Sequence, residues 1–163
     1  MDNVVIKIAT SPEELRAIRI IRESVFQKEQ GVDPASDFDG LDEICQQLIA
    51  CTSSEYIGTA RIRYLNDKTA KIERLAVLPI ARGHNIGKQI MEKALKIIAD
   101  RDISQVELHA QEYIKSLHEK LGFQEQGEIF EEAGIRHVRM IKKLKNDDKE
   151  GTGNYGHGEL PEN

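Results

Sequence analysis

The stretch KIERLAVLPIARGHNIGK, residues 71–88, leaves this chain few ways to fold. Lys71 to Val77 alternates with Ile72, Leu75 and Val77 apolar, which predicts a strand, and Pro79 cannot donate to a continuing ladder. Arg82, Gly83, His84, Asn85, Ile86 and Gly87 then lead into a helix over Lys88 to Ala99. Ile86, Ile90, Met91, Ala94, Leu95, Ile97 and Ile98 mark its broad apolar side. The first turn of such a helix has backbone N–H groups without intrahelical partners and carries the positive end of the helix dipole. A glycine-rich loop feeding it is therefore a cradle for a phosphate or pyrophosphate.

The remaining elements follow in order. Val4 to Ala9 predicts a first strand, and Ser11, Pro12 and Glu14 form the start of a helix with a capping box. That helix is expected to run to near Gln30 and stop at Gly31, burying Leu15, Ile18, Ile21, Val25 and Phe26 while Glu13, Glu14, Arg16, Glu23 and Lys28 face water. Residues 31–43, GVDPASDFDGLDE, carry five acidic side chains without the ligand spacing of an EF-hand, and they read as a solvated loop. Beside a pocket, such a loop would attract an amine. Gln46 to Thr52 and Tyr56 to Leu65 make two strands of a meander completed by the Lys71 strand. After the long helix come a strand over Gln105 to Ala110, a short helix from Tyr113 to Leu121 ended by Gly122, and two strands over Phe123 to Phe130 and Ile135 to Leu144. The tail 145–163 is charged and glycine-rich, and reads as flexible or as docked on a neighbour.

A length of 163 residues suits one domain, placed at 1–144, with an α/β (α+β) fold on a mixed, mainly antiparallel sheet. A net charge of -5 argues against a nucleic-acid partner, and no run approaches the ~20 apolar residues of a membrane span. The N-terminus lacks a signal-peptide layout, so a cytoplasmic protein is expected. Cys45 and Cys51 have neither CxxC nor zinc-like spacing and read as two reduced, partly buried thiols, with no metal site. Edge strands in the last hairpin leave a homodimer open.

The order of these elements resembles that of the GNAT acyltransferases. Arg82 to Gly87 resembles the pyrophosphate loop of that family, and Leu121, Gly122 and Phe123 resemble the Leu-Gly-Phe after its last helix. VFQKEQGV at 25–32, Ala110 with Gln111, and EEAGIRHVRM at 131–140 resemble the branch of small ElaA-type and YjcF-type proteins. The resemblance covers about Val4 to Leu144 and departs from the family in two places. Asn85 stands where a glycine is usual, and His118 aligns with the tyrosine that many members use as acid to the departing thiolate. Tyr113 lies earlier on the short helix, rotated by about 140°, and is a poor substitute.

The resemblance implies acetyl-CoA as acyl donor and a small-molecule or peptide amine as acceptor. It places the pyrophosphate on the backbone of Arg82 to Lys88, with charge from Arg82 and Lys88, and the pantetheine along the backbone of Leu75, Ala76 and Val77. Gln111 either contacts the pantetheine or closes its strand; His84 either sits over the phosphates or plays no part, and His137 either lines the acceptor side or plays no part. A base must take a proton from an alkyl ammonium whose reference pKa is about 10.4. Glu73 is one candidate, because strict alternation puts it on the side of Leu75 and Val77. A solvated strand-end residue and an ion-pair partner of Arg61, Arg63 or Arg74 are the alternatives. His118 is either the acid to the sulfur or a surface histidine, since Leu117 and Leu121 hold the core spacing. Direct amine attack on the thioester is the expected reaction. A silent acyl-CoA-binding module and an acyl-homoserine-lactone-synthase-like enzyme are the other readings.

Overall fold

A computed structural model describes residues 3–145, so nearly all of the 145–163 tail lies outside the described residues. Seven strands form one mixed sheet, β1 (Val5–Ile8), β2 (Gln46–Cys51), β3 (Tyr56–Tyr64), β4 (Thr69–Val77), β5 (Gln105–Gln111), β6 (Gln124–Glu132) and β7 (Ile135–Lys143), in the spatial order β1-β2-β3-β4-β5-β7-β6. The first four strands pair antiparallel as a meander. β4 and β5 are parallel, which requires a crossover, and helix α3 (Ile86–Ala99), which follows α1 (Pro12–Arg22) and the one-turn α2 (Pro34–Asp37) in the chain, supplies it. β7 inserts between β5 and β6, antiparallel to both.

Helix α1 (Pro12–Arg22) begins with the expected capping box. Glu14 N–H donates to Ser11 Oγ at 3.1 Å, and Thr10 and Ser11 N–H groups donate to Glu14 Oε1 at 2.9 and 3.2 Å. Two faces of this helix differ from expectation. Glu14 is buried because its carboxylate also pairs with Lys7 of β1 at 2.6 Å, whereas Leu15 is 39% exposed. The single helix expected to Gln30 becomes a π-helix over Glu23–Glu29, where wider turns keep Val25 and Phe26 buried together. Gly31, at φ 74°, lets the chain turn away.

The two faces of the sheet carry separate cores. On one, Leu48, Ala50, Ala60, Ile62, Ile72, Val106 and Leu108 pack under Ile86, Ile90, Met91, Ala94 and Ile98 of α3. On the other, Ile49 and Ala76 pack with Ile18, Ile21, Val25 and Phe26. Ile72 and Ala76 belong to different faces although four residues apart, a spacing that strict alternation would put on one face. A β-bulge explains this: Thr59 opposes Ala76 and Arg61 opposes Glu73, so two residues of β4 face one of β3, with Arg74 at φ 59°. Leu75 and Val77 therefore pack with the α3 core while Glu73 lies on the α1 face, correcting the expectation that all three share a side. Cys45 and Cys51 are free and half-buried.

Candidate functional site

β4 and β5 pair only at their beginnings, Thr69 to Lys71 against Gln105 to Glu107. Beyond Lys71 they diverge, because the bulge bends β4 away, and a cleft of about 730 Å³ opens between them. Its lining includes Leu75, Ala76 and Val77 of β4, Ala110 and Gln111 of β5, and the first turn of α3.

That first turn has no side-chain cap, and its first intrahelical bond runs from Gln89 N–H to Asn85 O. The N–H groups of Ile86, Gly87 and Lys88 thus have no helical acceptor. Gly83 at φ 84° and Asn85 at φ 62° turn the loop back upon this end, so asparagine meets the left-handed requirement where glycine was expected. A Cβ on Gly87 would meet Leu117 at 3.7 Å and Val77 at 3.9 Å, and bulk beyond it would enter the cleft. The open donors, the turn and the adjacent unpaired strand edge fit an acyl-CoA's diphosphate and pantetheine. Arg82 and Lys88 line the cleft, but the exposed His84 does not. Arg82 is already held, donating to Glu29 at 2.6 and 2.7 Å and to the Val77 carbonyl at 2.9 Å. Gln111 exchanges two amide hydrogen bonds with Gln30 across the cleft, at 3.0 and 3.1 Å.

The acidic loop expected in solvent is instead bound to arginines. Asp37, 2% exposed, pairs with Arg22 at 3.0 Å; Asp42 pairs with Arg22 and Arg61 at 2.8 and 3.0 Å. Asp39 pairs with Arg61 at 2.8 Å and Arg74 at 3.2 Å, and hydrogen bonding from Arg61 holds its carboxyl well below the usual range. The reason is the cost of burying guanidinium groups: Arg22 and Arg61 are 1% and 0% exposed and need anionic partners. The loop's charge is therefore largely neutralised within the protein.

Glu73 completes this network. Its Oε1 accepts from Arg61 at 2.7 Å and its Oε2 from Arg63 at 2.9 Å, with Lys71 at 3.5 Å. Burial alone would raise its pKa, but the hydrogen bonds from Arg63 and Arg61 and the charges of Arg61 and Lys71 outweigh it and hold the group at about 2. Of the three roles open to Glu73, the geometry matches the ion-pair partner, and a carboxylate so stabilised is a weak proton acceptor.

His118 of helix α4 (Lys115–Lys120) is 4% exposed and lines the cleft, so it is no surface histidine. Burial pushes its pKa down to about 4, and its Nδ1 has no hydrogen-bond partner. At neutral pH the ring is uncharged and offers an N–H rather than an imidazolium proton. Tyr113 also lines the cleft but is 75% exposed. His137 lines the cleft as well, with Nδ1 at 2.8 Å from the Ile135 carbonyl.

Sequence reasoning missed His109 and Glu132, which line the same end, and the buried Arg22. The signal for His109 was present: alternation in β5 sets it opposite Val106, Leu108 and Ala110, which belong to the α3 core.

Residues 20–144 match the acetyltransferase (GNAT) domain. The chain is 32% identical over 136 residues to the uncharacterized N-acetyltransferase YjcF of Bacillus subtilis, covering 83% of this chain and 96% of YjcF. It is 30% identical over 139 residues to protein ElaA of Escherichia coli, covering 82% and 90%. The crystal structure of Escherichia coli ElaA aligns with a TM-score of 0.75 at 27% identity over 87% of this chain and 99% of that one. The cleft, its donor-lined helix end and these likenesses agree: the chain belongs to the GNAT acetyltransferase family, in the branch that contains ElaA and YjcF.

Proposed function

We propose that this GNAT domain transfers an acetyl group from acetyl-CoA to an amine by direct attack of the amine on the thioester. The observation that carries the reading is the divergence of β4 from β5 beside the open N–H groups of Ile86, Gly87 and Lys88. A thioester supplies an activated acyl carbon, and the protein's task is to hold, orient and discharge protons around it. The Ile86 to Lys88 donors and the Lys88 charge hold the diphosphate. The edge of β4 left unpaired beyond Lys71 binds an extended pantetheine and sets a backbone N–H against the thioester oxygen. The neutral His118 ring donates an N–H to the departing sulfur. Glu73 holds Arg61, Arg63 and the acidic loop in place around the acceptor end.

Calorimetry with CoA is expected to give saturable binding, and ligand at about 100 times Kd to stabilise the fold by about 2.7 kcal/mol in thermal unfolding. An amine panel assayed by thiol release is expected to contain a substrate. No binding at millimolar CoA overturns the reading. A silent acyl-CoA-binding module is the alternative that the uncharged His118 favours, and its signature is CoA binding without turnover on any amine.

A further inference from the structure

The end of the cleft away from α3's first turn holds a pair of groups that the charge network leaves out. His109 of β5 and Glu132 of β6 meet across β7, with Nδ1 and Oε1 2.8 Å apart. Both line the cleft. The imidazole is held on a further side by the edge of Phe130, whose ring stacks in turn on His137. Register explains the assembly. His109 opposes Arg139, Gln111 opposes His137, and His137 opposes Phe130, so all lie on the face away from α3.

The charged groups around the pair are already committed. On β4, Lys71 pairs with Glu73, and Glu73 with Arg61 and Arg63. Arg139 of β7 pairs with Glu107 of β5 at 3.0 Å, and on the opposite wall Asp37 and Arg74 belong to the loop network. His137 has its Nδ1 at a backbone carbonyl. Glu132 has His109 as its side-chain partner, and that hydrogen bond keeps its carboxyl below the ordinary range. An ionised carboxylate only accepts, so the ring proton resides on Nδ1 and the lone pair on Nε2, which has no partner among the described residues.

We infer that His109 is the general base of the acyl transfer, with Glu132 as the positioning residue that fixes its tautomer and aims Nε2 into the acceptor end of the cleft. This rests on the acyl-transfer reading and assigns its unassigned proton step. The acceptor ammonium gives one proton to Nε2. The freed nitrogen bonds to the thioester carbonyl carbon as the bond from that carbon to sulfur breaks. The nitrogen's second proton goes to the departing sulfur, and the imidazolium returns the first to water through the half-exposed Glu132 side of the cleft. Glu73 cannot take this part while its oxygens are held by Arg61 and Arg63.

The test has two arms on the full chain. In the first, nitrogen-15 correlation spectra of the histidine side chains, with His109 identified by its disappearance in His109→Gln, are expected to show the proton on Nδ1 above neutral pH. A proton on Nε2 overturns the inference without reference to turnover. In the second, for an amine that the wild type acetylates, His109→Gln is expected to lower kcat/KM about 100-fold at pH 7 and much less at pH 10, where a sizeable share of the ammonium has already lost its proton to water. CoA affinity by calorimetry is expected to stay within about twofold, because the cradle lies at the other end of the cleft. Glu132→Gln, which keeps the shape but removes the charge, is expected to move the acid limb of the kcat/KM profile to lower pH. An unchanged profile in both variants overturns the base role alone. A wild type that binds CoA but acetylates no amine overturns the transfer reading and the base role with it.

Discussion

Burying His118 with Nδ1 unpartnered makes the stability of this fold depend on pH at a single residue. In the unfolded chain the imidazole takes a proton near 6.5, but in the folded protein only near 4. The contribution of the neutral, buried ring is therefore complete above pH 6.5 and is lost as the pH falls toward 4. At 1.36 kcal/mol per unit, roughly 2 kcal/mol is gone by pH 5. Glu73 and Glu14, held at about 2 in the folded protein and near 4.5 when unpaired, change little between pH 7 and pH 5. His118→Phe keeps ring bulk beside Phe123 and removes the titration. Its loss of unfolding free energy between pH 7 and pH 5, from urea denaturation, is expected to be smaller than that of the wild type by this amount. Equal losses would exclude a neutral buried histidine.

At the scale of elements, the contact between α3 and β3 admits no side chain at Gly58. A Cβ there would lie 2.9 Å from Ile90 Cδ1 and 3.2 Å from the Ala76 carbonyl oxygen. Ile90 can move its terminal methyl, but the backbone oxygen is fixed in the β3–β4 ladder. Gly58→Ala is expected to lower stability by about 1–3 kcal/mol through overpacking, measured by urea denaturation. An unchanged midpoint would mean that α3 is free to shift. The helix itself was legible in the sequence, since Ile86, Ile90, Met91, Ala94 and Ile98 recur at helical spacing and are all buried. The α1 capping box was equally legible because both partners lie within one turn. The β4 bulge was not. Arg74 is held in the left-handed region by donating to the Ser36 and Asp37 carbonyls, from a loop remote in sequence, and period-two alternation carries no trace of them.

Across the whole molecule, the arginine and carboxylate network ties the 31–43 loop, α1 and the β3–β4 hairpin into one wall of the cleft. Arg61 is its centre, contacting Asp39, Asp42 and Glu73 at once. Arg61→Met is expected to destabilise the protein by about 1–3 kcal/mol, because Glu73, Asp39 and Asp42 each lose one charged partner while keeping Arg63, Arg74 and Arg22 respectively. The double variant Arg61→Met with Glu73→Leu is expected to lose less than the sum of the two single variants, since both remove the same ion pair. Additive losses in denaturant titration would show that the two groups are not coupled. The network also explains why the acidic loop is a poor guide to the acceptor: much of its charge is spent on internal arginines.

The sequence by itself determined the order of elements, the single domain over most of the chain and the glycine-containing turn that leads from β4 into α3. All of these are set by periodicity, glycine and proline placement, and groups within a few residues of one another. Only the tertiary structure decided which face Glu73 occupies, which cations claim it, that His118 is buried, and that His109 meets Glu132. Those outcomes depend on a bulge and on pairings between segments 10 to 23 residues apart in the chain, where register and burial energies, rather than local pattern, select the partner.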